Sequence, residues 1–191
     1  MNAIAQPLPD ECILIARALK DPTALAAVYD HYAPRVYTYM RYRVNDRATA
    51  DDLTAQTFEH MLDNLPNYRA DKAPFAAWLF GIAHHMVSRH YRAKHRWQWL
   101  PLDAAANHPA NSLPPESAAI HNETQQQLVI AVSRLTDDQR NLIALKFAGG
   151  LNNRQIASIT GLSESNVGVI LYRSINCLRE ILNDEEIKHE S

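Results

Sequence analysis

Apolar residues recur along this chain at intervals of three and four, with polar positions between them, from residue 11 almost to the C-terminus. That spacing predicts amphipathic helices, and no stretch shows the sustained alternation of a strand. A first helix is predicted from Glu11 to Lys20, closed by Asp21-Pro22. The stripe Leu25, Val28, Tyr29, Tyr32, Val36 and Met40 predicts a second. Pro34 is expected to break or kink it, because proline lacks the N–H that a helix interior uses. Asn45-Asp46 marks a turn. Asp51 and Asp52 then open a third helix, where carboxylates suit the positive end of the dipole. Phe58, Met61, Leu62 and Leu65 form its inward face, and Pro66 ends it. After a loop from Asn67 to Ala73, a fourth helix starts near Pro74, a good first-turn residue. It carries Phe75, Trp78, Leu79, Ile82, Met86 and Tyr91 on one side, with Arg89, Arg92 and Arg96 projecting elsewhere.

The pattern lapses over residues 100–117, where Pro101, Pro109, Pro114 and Pro115 stand among Ala, Asn and Ser. This composition reads as a flexible linker. Periodicity resumes near Ile120 with Leu128, Val129, Val132 and Leu135. Thr136 and Gln139 form a capping box for the next helix, which carries Leu142, Ile143 and Leu145 and stops at Gly149-Gly150. Residues 152–178 then have the pattern of a helix-turn-helix. Ile156 and Ala157 face inward, and Gly161 can take the left-handed angle that ends the first helix. Leu162 plugs the turn and Ser163 caps the second helix. Val167, Ile170, Leu171, Ser174, Ile175 and Leu178 form its buried face. Apolar spacing alone would fit any helical hairpin; the Ala, the Gly four later and the apolar residue six beyond it are more specific to DNA binding. The fold class expected is all-α: two small helical domains, 11–98 and 120–184, joined by a flexible linker, 99–119, with the helix-turn-helix in the second. Residues 1–10 are expected to fray, and the acidic tail, 185–191, to be disordered.

Composition sharpens this picture in one place. The net charge is −2, which argues weakly against a nucleic-acid binder that uses its whole surface. Between Asp71 and Asp103, however, there is no acidic residue, while Lys72, Arg89, Arg92, Lys94 and Arg96 and the histidines 84, 85, 90 and 95 all fall there. A local basic face is what phosphate binding needs, although an isolated run of charge is more often a solvated helix face. The histidines lack an i, i+4 pair and an acidic neighbour, and Cys12 and Cys177 belong to no CxxC pair, so no metal site and no cofactor are expected. No nucleophile–base pairing or Gly-rich phosphate loop points to an enzyme. No segment approaches the ~20 apolar residues of a membrane helix, and no signal sequence is present. A soluble, cytoplasmic protein without membrane insertion is expected.

Three motifs, in order, carry a resemblance to a known family. Ala50-Asp51-Asp52-Leu53-Thr54-Ala55-Gln56-Thr57-Phe58 is an acidic-Asp-Leu stretch ending in Phe. Phe75-Ala76-Ala77-Trp78-Leu79-Phe80-Gly81-Ile82-Ala83 fits F-x-x-W-L-x-x-I-A and runs into the basic interval. Leu135-Thr136-x-x-Gln139-Arg140 leads through the helix-turn-helix to Arg179. Together they resemble an extracytoplasmic-function (ECF) sigma factor of the sigma-70 family, a small bacterial RNA polymerase subunit, over roughly Leu25 to Leu182.

The resemblance implies roles for both domains. The first would bind core RNA polymerase through Asp51, Asp52 and Gln56. It would engage and melt the promoter −10 element through Tyr68, Arg69, Lys72, His85, Arg89, Arg92 and Arg96. The second would read the −35 element through Arg154, Ser165, Asn166, Val169 and Arg173. Core RNA polymerase, promoter DNA and an anti-sigma factor are the implied partners. The chain departs from the family pattern in four places. Ala55 stands where Gln is frequent, with Gln56 one residue later; His85 stands where Asn is common; Gly168 and Ile170 stand where Lys or Arg often occurs. The competing reading is a two-domain helix-turn-helix transcriptional regulator. An acid-free basic helix in a sensing domain argues against it, and the helix-turn-helix argues against an RNA-binding protein.

Overall fold

Helix α2, Pro22–Arg43, packs against most of the other helices. The computed structural model describes residues 8–44, 46–98 and 119–189. Among these there are eight α-helices, one 3₁₀ turn and no strand. Helix α1 is Glu11–Arg17, α3 is Arg47–Asn64, a 3₁₀ turn covers Leu65–Asn67, and α4 is Phe75–Gln98. Helices α5, Ala119–Ser133, and α6, Asp137–Phe147, precede the helix-turn-helix pair α7, Asn153–Thr160, and α8, Glu164–His189. Asn45, the proline-rich stretch through residue 118 and both extreme termini lie outside the described residues, as do the side chains of Arg96 and His95.

Local chemistry explains where the helices begin. The Asp21 carboxylate accepts hydrogen bonds from the Thr23 and Ala24 amides at the start of α2. These bonds, with one from the Thr23 hydroxyl, hold its pKa at about 2. Asp46 caps α3 through the Thr49 amide, 2.7 Å away. The capping box of Thr136 and Gln139 forms as the spacing predicts. A second one, Asn152 with Gln155, starts α7. Its Asn-x-x-Gln signature is equally legible in the sequence.

The chain departs from its sequence pattern at several points. Helix α3 begins at Arg47, about a turn before Asp51 and Asp52, because Asp46 caps it, so neither carboxylate lies in its first turn. Tyr29 is exposed despite its place on the α2 stripe. Helix α1 ends at Arg17, one turn early. Pro34 does not end α2, which runs through it to Arg43. An interior proline costs ~3 kcal/mol, but Val28, Tyr32, Val36, Tyr39 and Met40 on the same helix are all almost fully buried, and their packing outweighs that cost. Leu62 lies on the exposed side of α3, whereas Phe58, Met61 and Leu65 point inward. Helix α8 continues to His189, so most of the expected disordered tail is helical.

The two helical groups share one core. Tyr32, Val36, Phe75, Leu79 and Phe80 from the first belong to the same apolar cluster as Leu142, Leu145, Leu151, Ile156 and Val167 from the second. Helix α2 packs on α6 and α5, and α4 packs on α7. The seam also carries specific polar contacts. Arg35 donates from Nε to the Ala148 carbonyl, 3.3 Å, and from Nη2 to the Gly149 carbonyl, 2.6 Å. Its guanidinium lies over the Tyr32 ring, 4.9 Å from the centroid. The Tyr39 hydroxyl donates to Asn141 Oδ1, 3.1 Å, and Arg43 donates to the Asp137 carbonyl, 2.7 Å.

Gly149 is placed for close approach. A Cβ there would stand 2.5 Å from the Leu145 carbonyl oxygen. Gly149→Ala is therefore expected to cost about 1–3 kcal/mol by overpacking, or roughly 2–4 °C in Tm per kcal/mol for a chain of this size. An unchanged thermal unfolding midpoint would show that the turn relaxes freely.

Candidate nucleic-acid interface

The helix-turn-helix is built as its spacing predicts. Gly161 closes α7 with φ of 75° and donates its amide to the Ala157 carbonyl, 2.9 Å. Ser163 Oγ accepts the Asn166 amide at the head of α8. Ile156, Val167, Leu171 and Ser174 are buried, while Ser165, Asn166, Val169 and Arg173 are exposed. Tyr172, 69% exposed, lies beside them. It was not among the expected contacts, yet it falls seven residues after Ser165 and three after Val169, on the same helical face. Arg154 is exposed on α7, and its Nε is 3.8 Å from a Glu164 carboxylate oxygen at the start of α8.

Gly168 is not conformationally special. It has no positive φ, and a Cβ would meet only Asn153 Nδ2 at 3.5 Å, an ordinary contact. The position has room for a side chain. Gly168→Ala is expected to stabilise the fold by about 0.5–1 kcal/mol through the restored helix propensity. A fall in the unfolding midpoint would refute this.

The sequence-predicted residues of the first helical group separate into two surfaces. Asp51, Asp52 and Gln56 are exposed on one face of α3, with the intervening Leu53 and Thr54 buried. Beside Asp51 a depression of about 460 Å³ opens between α2 and α3, bounded by Tyr29, Pro34 and Tyr37. On the other surface, Arg69, Lys72, His85, Arg89 and Arg92 are all exposed. Arg69 pairs with Asp71 across its loop, 3.0 Å, which leaves that cation partly compensated. Tyr68 serves the loop itself. Its hydroxyl donates to the Ala73 carbonyl, 2.9 Å, and its ring packs on Phe75 and Trp78. Trp78 is half-buried rather than sealed in the core, and one side of it faces solvent.

Part of each set meets in one place, while Ser165, Asn166, Val169 and Arg173 of α8 lie outside it. A cleft of about 800 Å³ between α4 and α7 is lined by Lys72, Trp78, His85 and Arg89 from one group and by Arg154 and Gln155 from the other. None of its described lining residues is a carboxylate. Cations on both walls with an aromatic side chain between them suit phosphate and base contacts.

His84 has a different role from its neighbour. It is half-buried at the seam, its Nδ1 3.2 Å from Asn141 Oδ1 and 3.5 Å from the Tyr39 hydroxyl. Because Asn141 Oδ1 accepts, Nδ1 is the protonated nitrogen of the neutral ring. Burial holds its pKa below the ordinary 6.5, with the charges of Arg43 and His85 acting in the same direction and the Asn141 hydrogen bond opposing. His31 and His90 are lowered in the same way, first by burial and then by Arg35 and Lys94 respectively. The unfolded chain therefore binds these protons first. Stability is fully present above about pH 6.5 and is lost as pH falls below it. The difference in Tm between about pH 7.5 and about pH 5.5 should shrink in His84→Gln, which retains a donor without the titration. An identical difference in both proteins would exclude His84 as a contributor.

With this geometry in place, the chain compares clearly with known proteins. The family described as Sigma-70 region 2 matches residues 28–97, and Sigma-70, region 4 matches residues 125–178. The ECF RNA polymerase sigma factor BldN of Streptomyces coelicolor is 31% identical over 85% of this chain, which spans 61% of BldN's length. The ECF RNA polymerase sigma factor ShbA of Streptomyces griseus is 29% identical over 88% of this chain and 93% of its own length. In structure, the sigma factor RpoE of Bartonella quintana, solved in complex with the anti-sigma factor NepR, superposes with a TM-score of 0.64 at 21% identity, covering 83% of this chain and 96% of that one. That likeness supports the fold, and the two region matches, in chain order, cover most of the residues from α2 to α8. The chain belongs to the ECF group of the sigma-70 family of RNA polymerase sigma factors.

Proposed function

We propose that this protein is a promoter-specificity subunit that binds core RNA polymerase, recognises and helps to melt promoter DNA, and is not itself an enzyme. The observation that carries the proposal is an exposed basic face on α4 together with an exposed helix-turn-helix face on α8, on one chain that matches region 2 and region 4 in order. Residues 11–98 form the unit for polymerase and −10 contacts, 99–119 the linker, 120–184 the −35 reader, and 185–191 an acidic end.

The physical roles follow from exposure and charge. The acidic face of α3, Asp51, Asp52 and Gln56, is free of buried obligations and is the polymerase-docking surface. Lys72, His85, Arg89, Arg92 and Arg96 supply the phosphate track for the −10 strand, with Trp78 at its edge. Stacking an unstacked base on an aromatic ring is worth ~1–3 kcal/mol per base, so captured bases offset part of the cost of opening the duplex. Tyr68 acts by shaping the loop that presents Arg69 and Lys72. Ser165, Asn166, Val169 and Arg173, with Arg154 at the flank, present a short polar and cationic face to the −35 major groove. That face has few cations, so each domain alone binds weakly. Tethering both to one polymerase raises the effective concentration of the second contact. The protein works in the cytoplasm, where polymerase and promoter are found; no described helix is long and apolar enough to cross a membrane. An anti-sigma partner, as in the RpoE complex with NepR, would mask one or more of these faces.

Transcription reconstituted with purified core polymerase tests the reading. The protein should support initiation from its own promoters. Asp52→Lys should weaken core binding about tenfold or more by reversing a charge at the docking face. Arg173→Ala should leave core binding intact while costing promoter affinity ~1–3 kcal/mol. Absence of core binding and transcripts, together with strong protection of a duplex operator without polymerase, would replace this reading with the two-domain regulator.

A further inference from the structure

The cleft between α4 and α7 has a floor as well as cationic walls. Trp78 and Gly81 lie one turn apart on the side of α4 that lines it. The indole is fixed by Tyr68, with ring centroids 5.0 Å apart, and by Phe75 at 5.5 Å. It is only half-buried, and its remaining surface borders the cleft.

Gly81 is the part of that floor that folding does not account for. It lies inside a helix of 24 residues, where glycine is less stable than alanine. No described neighbour requires it. Its φ is not positive, and a Cβ there would meet no atom within 4 Å. The chain gives up helix stability at this position and leaves open space one turn from an aromatic ring.

Cations from three parts of the chain line this space. Lys72 belongs to the loop before α4, Arg89 lies about 16 Å beyond Trp78 along α4, and Arg154 is on α7. Neither Lys72 nor Arg89 has an ion-pair partner among the described residues. Arg154 meets Glu164 only at 3.8 Å, and both side chains are largely exposed, so that pair is weak. Beside it, Gln155 Oε1 accepts the Asn152 amide, 2.8 Å, which leaves the Gln155 amide nitrogen available to donate. With no carboxylate among the described lining residues, the cleft is complementary to a multiply charged anion. Its volume of about 800 Å³ falls within the range of small-ligand sites, ~300–1,000 Å³.

We propose that this cleft binds a nucleoside di- or triphosphate, with the base over Gly81 against Trp78 and the phosphates held by Lys72, Arg89 and Arg154. A flat ring accounts for the empty space at Gly81, which a simple anion would not need. Stacking on indole and pairing of phosphate with cations are also the forces that hold single-stranded DNA. The α7 wall separates the two sources. A strand that follows α4 has no need of Arg154 or Gln155, whereas a compact nucleotide is gripped from both sides. Because Lys72 and Arg89 also belong to the −10 track, bound nucleotide competes with the promoter strand; this consequence alone rests on the sigma-factor reading.

Isothermal titration calorimetry on the full-length protein tests the site. ATP and GTP are the probes; tripolyphosphate, adenosine and a short single strand of −10 sequence are the comparisons. ATP or GTP should bind about tenfold or more tightly than tripolyphosphate or adenosine, because only the whole nucleotide uses both floor and cations. Gly81→Leu fills the floor from a position with no neighbour to clash with and raises helix propensity, so far-UV circular dichroism should show it folded. It should weaken the nucleotide about tenfold or more and leave tripolyphosphate unchanged. Arg154→Ala, at an exposed position, should weaken nucleotide and tripolyphosphate alike by about threefold or more, and it carries the comparison if Gly81→Leu does not fold. No nucleotide binding up to millimolar concentration overturns the proposal. So do tripolyphosphate binding as tight as ATP, and an unchanged nucleotide affinity in either folded variant. Binding of the strand with neither nucleotide bound assigns the cleft to DNA alone and also overturns it. In the same protein, ATP should displace the strand. Nucleotide binding with no strand bound, or with a strand it does not displace, would leave the site standing and count against the sigma-factor assignment of Lys72 and Arg89 alone.

Discussion

The antiparallel contact between α2 and α6 is the constraint on which the rest of the structure depends. It joins two helical groups that each have apolar interiors into one continuous core. It also decides which surfaces face each other. With α6 seated on α2, α7 is carried against α4, and Lys72 and Arg89 share one cleft with Arg154. Arg35, Tyr39 and Arg43 each donate to a backbone carbonyl or an amide side chain of the second group, so the seam reads geometry and not opposite charge. That makes it less sensitive to salt than an ion-pair seam would be.

Within each group, helix boundaries are set locally. Five helices begin at side-chain caps, two of them full capping boxes, and the helix-turn-helix closes through one glycine in the left-handed region. Such elements mark their own boundaries, while the shared core holds them together. The exposed face of α8 is then free to vary, because none of Ser165, Asn166, Val169, Tyr172 or Arg173 contributes to the core. Function and folding are carried by different sides of the same helix. The same separation holds on α3, where Asp51 and Asp52 are outward and Leu53 and Phe58 are inward.

The three histidines with lowered pKa values show how position, not residue type, decides a role. His84 and His85 are adjacent, yet one is held at the seam by Asn141 and the other points into the cleft. A rotation of 100° along the helix is enough to make the first a structural donor and the second a surface group. Tyr68 gives a similar lesson. Between Asn67 and Arg69, its hydroxyl closes the loop onto Ala73 while its ring packs on Phe75 and Trp78.

Much of this protein was legible in one dimension because its signals are local. Helical period, caps, the glycine at 161 and the inward faces of α4 and α8 depend on neighbours within a few residues, and the motifs that identify the family lie on those elements. The faces expected to meet polymerase and DNA are indeed exposed, apart from half-buried Tyr68 and the side chain of Arg96, which lies outside the described residues. The continuation of α2 through Pro34, the exposure of Leu62 and the burial of Arg43 could not be read that way. Each depends on what packs against the helix from elsewhere in the chain. The partners of Arg35, Tyr39 and Arg43 lie between 94 and 114 residues away. Their i, i+4, i+8 spacing was visible, but a stripe of two arginines and a tyrosine is equally suited to solvent until a second helix supplies acceptors. Sequence determined the helices and the family; only tertiary structure decided that α6 seats on α2 and brings Arg154 of α7 into one cleft with Lys72 and Arg89, because those contacts join residues far apart in the chain.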